Sequence, residues 1–330
     1  MGILRFAIGA NYKKFYKNLK DISKKENKSI VGMLFDTVLS AAIFGSGLTD
    51  YLNYEFYKKS FPERRRYVTI RTQDSFYSKV SPAKYKKTFT VKPNFLKEFS
   101  AYTKRQFIYP AENGINELKT FLDANPIFME KPIDGLAGSR VIKKTTSEIS
   151  NVETYYQYLS DNHLFVEQYI IQHEKLSALC DRSVNTVRVI TSSTSGTPKI
   201  IFACLRIGNG NADIDNFHGG GMAVLVNRET GTLTGDAIDK ALHHYRVHPV
   251  SNIEFDGYTL PFWEEICNMV CEAAMIEPKI MVIGWDVAIT PNGPMFVEGN
   301  RRPGFDLVQI LCGKGRKDII QNAITELKER

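Results

Sequence analysis

Residues 284–304 (GWDVAITPNGPMFVEGNRRPG) hold the side chains best suited to chemistry. Asp286 lies in one apolar β-type run, and Glu298 and Asn300 lie in the next, beyond Asn292-Gly293. Asn-Gly between two such runs is the strongest short hairpin signal. A hairpin lets Asp286 and Glu298 face each other, and the two-residue alternation of a strand puts Glu298 and Asn300 on one face. Two carboxylates and an amide oxygen are hard donors, suited to a Mg²⁺ ion that bridges nucleotide phosphates. A surface hairpin with solvated acids would carry the same residues. Trp285, Phe296 and Val297 beside them predict a hairpin at least half buried.

A second group lies at residues 128–141 (FMEKPIDGLAGSRV). A β run ends in Lys131-Pro132, and a loop with Gly135, Gly138 and Ser139 precedes another β run. Small residues let backbone N–H groups approach phosphate oxygens, and Lys131 would add a fixed positive charge. It is not a Walker A loop, because no Gly-Lys-Ser/Thr follows. A plain Gly-rich turn would look the same. A third run, FVEQYI from Phe165, is apolar except for Glu167 and Gln168; a strand ending there could present backbone groups to an adenine edge.

These groups need strands to hold them. Strands are expected at residues 127–131, 164–168, 186–191, 199–205, 222–226, 281–289 and 294–298. Helices are expected at 116–124, 153–159, 262–275 and 317–328, so the class is α+β with antiparallel hairpins. The 330 residues allow two or three domains, and 43% hydrophobic with 24% charged residues excludes disordered and fibrous classes. Five irregularly spaced cysteines without a CxxC pair argue against a disulfide framework and structural zinc, and place the chain in a reducing cytoplasm. Lysines follow the apolar first ten residues with no small-residue cleavage site, unlike a secretory signal.

Charge is uneven. Residues 1–110 hold 22 Lys and Arg against 8 Asp and Glu, a net of +14, whereas residues 111–330 are net −7. Residues 11–28 place Tyr12, Phe15, Leu19 and Ile22 at helical spacing among lysines, which predicts a basic amphipathic helix. The apolar run 30–48 reads as a buried or interfacial helix, since Asp36 and two glycines interrupt it. Such a region suits an anionic partner: an anionic membrane surface touched by Phe15, Leu19 and Ile22, with residues 64–66 adding charge, or an acidic glycan. A basic face packed on the acidic body is the alternative. Nucleic acid is not expected, because the basic part lacks a zinc motif or an aromatic RNP-like pattern.

In order along the chain, several short motifs resemble the ATP-grasp superfamily, in its sugar-transfer-associated branch. They are Lys131-Pro132 with the Gly loop, EQYIIQH from Glu167, SVNTVR from Ser183, LRIG from Leu205, DNFHGGG from Asp215, GWDVAIT from Gly284 and EGN from Glu298. The resemblance covers roughly residues 85–310 and implies two α+β lobes clasping ATP. The resulting division is a helical basic region at 1–104, a small lobe with a Gly-rich lid at 105–168, and a large lobe with the metal site at 169–330.

The resemblance also implies roles. Lys131 would hold nucleotide phosphate, with Gly135, Gly138 and Ser139 in the lid. Glu167, Gln168 and Tyr169 would meet adenine. Lys92, followed by Pro93 at a helix start, would be a second ATP lysine, with Lys87 as its rival. Asp286, Glu298 and Asn300 match the metal trio. Arg188 and Arg206 would face the transferred phosphoryl group, and Asn216 with Gly219, Gly220 and Gly221 would line the substrate side, with His173, His218, Arg301 and Arg302 as further polar candidates. The usual N-terminal lobe of these ligases is not recognisable. The implied activity is an ATP- and Mg²⁺-dependent ligase joining a carboxylate to an amine through an acyl-phosphate, with an amino acid and a sugar acid as the expected pair. A sugar kinase of the same fold and a non-catalytic scaffold are the alternatives.

Overall fold

The computed structural model describes residues 11–85, 87–134, 141–210 and 217–330. Its helices are α1 (Tyr12–Lys25), α2 (Ile30–Phe44), α3 (Leu48–Asn53), α4 (Phe61–Arg64), α5 (Ile70–Val80), α6 (Lys87–Thr90), α7 (Lys92–Glu98), α8 (Ser100–Thr103), α9 (Ile115–Ala124), α10 (Val152–Asp161), α11 (Glu174–Leu179), α12 (Trp263–Ala273), α13 (Phe305–Leu311) and α14 (Lys317–Glu329). The strands are β1 (Phe107–Ile108), β2 (Ile127–Pro132), β3 (Ile142–Thr145), β4 (Leu164–Gln168), β5 (Thr186–Ser192), β6 (Lys199–Ile207), β7 (Met222–Val226), β8 (Leu233–Asp239), β9 (His244–Tyr245), β10 (Val282–Thr290) and β11 (Gly293–Asn300). Two compact units result: the described parts of Met1–Val80 with Gly304–Arg330, and Ser81–Pro303.

The first unit is helical. Asn11 caps α1 by accepting from the Lys14 N–H at 2.9 Å, and Gly45 ends α2 at φ +66°, where a side chain would be strained. Phe15 and Leu19 of α1 are buried with Met33 of α2 against Tyr51, Tyr54, Phe56 and Tyr67. This corrects the expectation that Phe15 and Leu19 touch a membrane: burial in this cluster removes them from the surface. Arg64 is likewise buried. It forks onto Asp36 of α2 at 2.6 and 2.9 Å, so its charge is neutralised and not offered to a partner. The chain's end joins this unit through Gln309 of α13, which accepts from Val68 N–H at 2.7 Å and donates to Val68 O at 3.0 Å.

The second unit is α+β. Its small sheet has the order β1-β4-β2-β3 and its large sheet β11-β10-β5-β6-β7-β8-β9, with antiparallel neighbours throughout. Phe128 and Val166 face α9 and α10, packing with Leu118, Phe121 and Leu159. That leaves Lys131 and Glu167 on the opposite face of the small sheet, by the alternation of strand side chains. On one side of the large sheet, Trp285 stacks on Phe296 at 4.6 Å and on Phe99 edge-on at 5.4 Å. All seven expected strands form, with end shifts of at most two residues. β1, β8 and β9 were not expected. β8 reads LTGDAID, with three polar side chains and Gly235 at φ +75°, and has no alternating apolar pattern.

Candidate active site

Six polar side chains share one face of the large sheet because of register. Asp286 pairs with Glu298 on one side and Arg188 on the other, Gly284 pairs with Asn300, and Thr186 pairs with Arg206. Directly opposed residues and their second neighbours lie on the same face. The hairpin alone would not achieve this. Its loop is Pro291 and Asn292, with Gly293 opening β11 at φ +106°. Counting back from Thr290 opposite Gly293 sets Val287 opposite Phe296, and would set Asp286 opposite Val297. A bulge at Val297 shifts the register by one, so Glu298 meets Asp286 while Phe296 stays in the core. Gly299 between Glu298 and Asn300 is bare for a reason: a Cβ there would lie 2.5 Å from the Phe95 ring.

Asp286 is fully buried and tightly held. Arg188 donates from Nε to Oδ1 and from Nη2 to Oδ2 at 2.9 Å, and Arg206 Nη2 reaches Oδ2 at 3.0 Å. Burial acts to raise the carboxyl's pKa, but the two guanidinium charges outweigh it and hold Asp286 below the usual range. Arg206 also donates to Thr186 Oγ1 at 2.7 Å. Glu298 behaves oppositely: burial, then the charge of Asp286, push its pKa up. Asn300 Nδ2 lies 3.5 Å from Glu298 Oε1.

This pattern fits a divalent cation. Glu298 is a carboxylate with raised proton affinity beside a second carboxylate, and a cation relieves that repulsion as a proton does. Asp286 has about four lone-pair positions. The two arginines engage both of its oxygens. Glu298 and Asn300 would therefore hold the ion, with Asp286 beside them.

Cationic side chains gather at the small sheet. Glu167 is buried between Lys131 Nζ at 2.5 Å and Arg105 Nη2 at 3.1 Å. Burial raises its pKa, but Arg105 and then Lys131 outweigh this and hold Glu167 below the usual carboxylate range. Lys92 starts α7 beside Pro93, and its Nζ donates to Pro132 O at 3.2 Å. Burial lowers its pKa against the pull of Glu298, and the nearby Lys131 charge lowers it further. The Lys131 charge beside Lys92 suits an anion such as a phosphate. Lys87 is exposed on α6.

The remaining candidates make local contacts or lie outside the described residues. Gln168 N–H already donates to Gln106 O at 2.9 Å, and Lys143 Nζ sits 4.5 Å over the Tyr169 ring. His173 caps α11, with Nδ1 accepting from Lys175 N–H at 3.1 Å, and its ring packs edge-on against Phe262. Arg301 donates to Ser81 O at 3.1 Å. Gly220 has φ +107°, and its carbonyl accepts from Asn209 Nδ2 at 2.8 Å; Gly221 directly precedes β7. Gly135, Gly138, Ser139 and Asn216 lie outside the described residues.

Sequence reasoning missed Arg105. This side chain is 1% exposed, binds Glu167, and donates to Phe296 O and to Val297 O at 3.2 Å, so it ties the small sheet to the bulged strand. Lys104-Arg105 in a lysine-rich stretch gives no local signal of such a role. Thr186 stood inside a quoted motif without a role.

Glu167 gives a pH prediction. A carboxyl whose folded pKa is depressed contributes stability above its unfolded value, about 4.3 for Glu, and loses it as pH falls through the folded value. In urea unfolding, the stability difference between wild type and Glu167→Gln should be full at neutral pH and shrink below about pH 4. A difference independent of pH would contradict the ionised state.

The sugar-transfer associated ATP-grasp family model matches residues 106–324. The chain is similar to the solved ATP-grasp ligase PsnB complexed with minimal precursor, Mg and ADP, at 14% identity and TM-score 0.43, over 76% of this chain and 62% of that one. It is similar to D-cycloserine synthetase DcsG at 11% identity and TM-score 0.42, over 74% and 73%. It is also similar to the D-alanine-D-alanine ligase from Coxiella burnetii at 13% identity and TM-score 0.43, over 73% and 58%. No curated protein matches the chain. With well over half of its residues matched, the chain belongs to the sugar-transfer-associated ATP-grasp family.

Proposed function

We propose that the protein is an ATP- and Mg²⁺-dependent carboxylate–amine ligase acting on an amino acid and a sugar acid of a surface polysaccharide or its precursor, in the cytoplasm. The observation that carries this reading is the single sheet face that opposes Asp286 to Glu298 and gathers Arg188, Arg206 and Asn300 beside them. The family's association with sugar transfer supports the sugar substrate, and the net +14 of the first third supports an anionic partner, an acidic glycan or an anionic membrane surface.

A carboxylate oxygen bonds to the γ-phosphorus as the bond to the bridging oxygen breaks and ADP leaves. The amine nitrogen then attacks the acyl carbon, phosphate departs, and the nitrogen loses a proton. Bound Mg²⁺ supplies charge neutralisation at the phosphates. Lys131 and Lys92 hold phosphate oxygens. Asp286 keeps Arg188 and Arg206 oriented, so that their charges meet the transferred group without reorganisation. Gly135, Gly138, Ser139 and Asn216 keep the lid and substrate-side roles that the resemblance implies. No protein nucleophile is required.

ATP turnover against paired panels of sugar acids and amines, with product masses recorded, tests this. The ligase reading expects ADP and phosphate only when both partners are present, with a product lighter than their sum by one water. A phosphorylated sugar would establish the kinase instead. Lys131→Met should weaken ATP binding at least tenfold, about 1.4 kcal/mol, by calorimetry. Unchanged affinity removes Lys131 from the phosphate site.

A further inference from the structure

α2 buries one side and leaves an apolar stripe on the other. Met33, Thr37 and Ser40 face inward and are buried. On the opposite side, Val31, Leu34, Phe35 and Val38 are exposed by 72%, 36%, 69% and 69%. Their spacing of three and four residues forms one stripe along the helix, about 10 Å from first to last at 1.5 Å per residue. Large apolar groups in a continuous exposed stripe mark a contact surface.

The neighbouring helix indicates what makes the contact. α1 packs its apolar side into the same aromatic cluster as α2, so both outer faces turn away from that cluster. The outer face of α1 exposes Lys13, Lys14, Lys17, Lys20, Lys24 and Lys25, with Asp21 as the acid among them. Among the described residues, no helix is long and apolar enough to cross a membrane. α1 contacts α2, and an apolar stripe on one helix with a lysine face on its neighbour is the composition of an element that meets an anionic interface. A symmetric contact between two copies through α2 would instead bring two lysine-rich α1 helices together, and like charges oppose that.

We infer that the protein docks on an anionic lipid surface through the outer face of α2, with the α1 lysines on the lipid phosphates. This inference rests on the first unit alone and stands or falls separately from the ligase reading. Phe15 and Leu19 support the fold beneath it.

Full-length protein is sedimented with vesicles of phosphatidylglycerol and phosphatidylcholine in equal parts, and with phosphatidylcholine alone, at low and high salt. Binding to the anionic vesicles that weakens with salt is expected. The double variant Phe35→Asp, Val38→Asp should lose at least tenfold in binding while keeping its helical circular dichroism and melting temperature, since both side chains are exposed. The triple variant Lys13→Glu, Lys17→Glu, Lys24→Glu should lose at least tenfold as well. Binding equal on both lipids, no binding to either, or full binding by the α2 variant overturns the inference. A wild-type dimer in light scattering that the α2 variant converts to monomer also overturns it, because a second copy would then cover the face.

Discussion

Replacing Glu298 with alanine should lower Mg·ATP turnover by at least ~10³-fold, about 4 kcal/mol at the transition state, and leave the unfolding midpoint near that of wild type. The two halves of this expectation have different causes. Glu298 would be the principal oxygen ligand for the cation, so its loss removes charge neutralisation where the phosphoryl group moves. In the folded protein, however, its charge lies opposite Asp286, and both burial and that neighbour disfavour it. Removing it relieves a repulsion and leaves no guanidinium without a partner, because Arg188 and Arg206 both hold Asp286. Turnover is measured by ADP release, and stability by denaturant unfolding of the same preparation. Normal turnover would remove Glu298 from the metal site.

Asp286→Ala should behave differently. Its carboxylate is the shared anion of two guanidinium groups, whose side chains are only 14% and 13% exposed. Truncating one partner of a buried ion pair leaves uncompensated charge, at a typical cost of about 3–5 kcal/mol. The variant should therefore lose both turnover and several kcal/mol of unfolding free energy, and added Mg²⁺ or ATP should not restore the fold. A stable but inactive Asp286→Ala protein would mean that the arginines do not depend on it, and that Asp286 does not organise the face.

The contrast between these acids shows what the sequence could carry. Alternation, the Asn292-Gly293 signal and the aromatic neighbours were enough to place Asp286 and Glu298 on adjacent strands of a buried hairpin. They were not enough to explain why the two residues face each other. Simple counting from the turn pairs Asp286 with Val297, and the bulge that corrects this has no local sequence mark. The strands at residues 164–168 and 222–226 were legible to the residue because turn signals bound short apolar runs. The short, polar β8 and β9 lacked that pattern. Arg105 was invisible for another reason: its partners Glu167, Phe296 and Val297 lie 62 to 192 residues away, and such pairings are set by topology. On α1, the 3.6-residue period correctly gave an amphipathic helix. It could not say that Phe15 and Leu19 face the aromatic cluster, or that the exposed apolar stripe belongs to α2.

The most direct measurement follows the oxygen atoms. With the pair of substrates that supports turnover, the carboxylate is labelled with ¹⁸O and the released phosphate is analysed by mass. Activation through an acyl-phosphate forms a bond from carboxylate oxygen to phosphorus and later breaks the bond from that oxygen to carbon. One labelled oxygen per turnover should therefore appear in inorganic phosphate, with the other left in the amide product. Phosphate free of label, or phosphate retained on a sugar hydroxyl, would contradict the account.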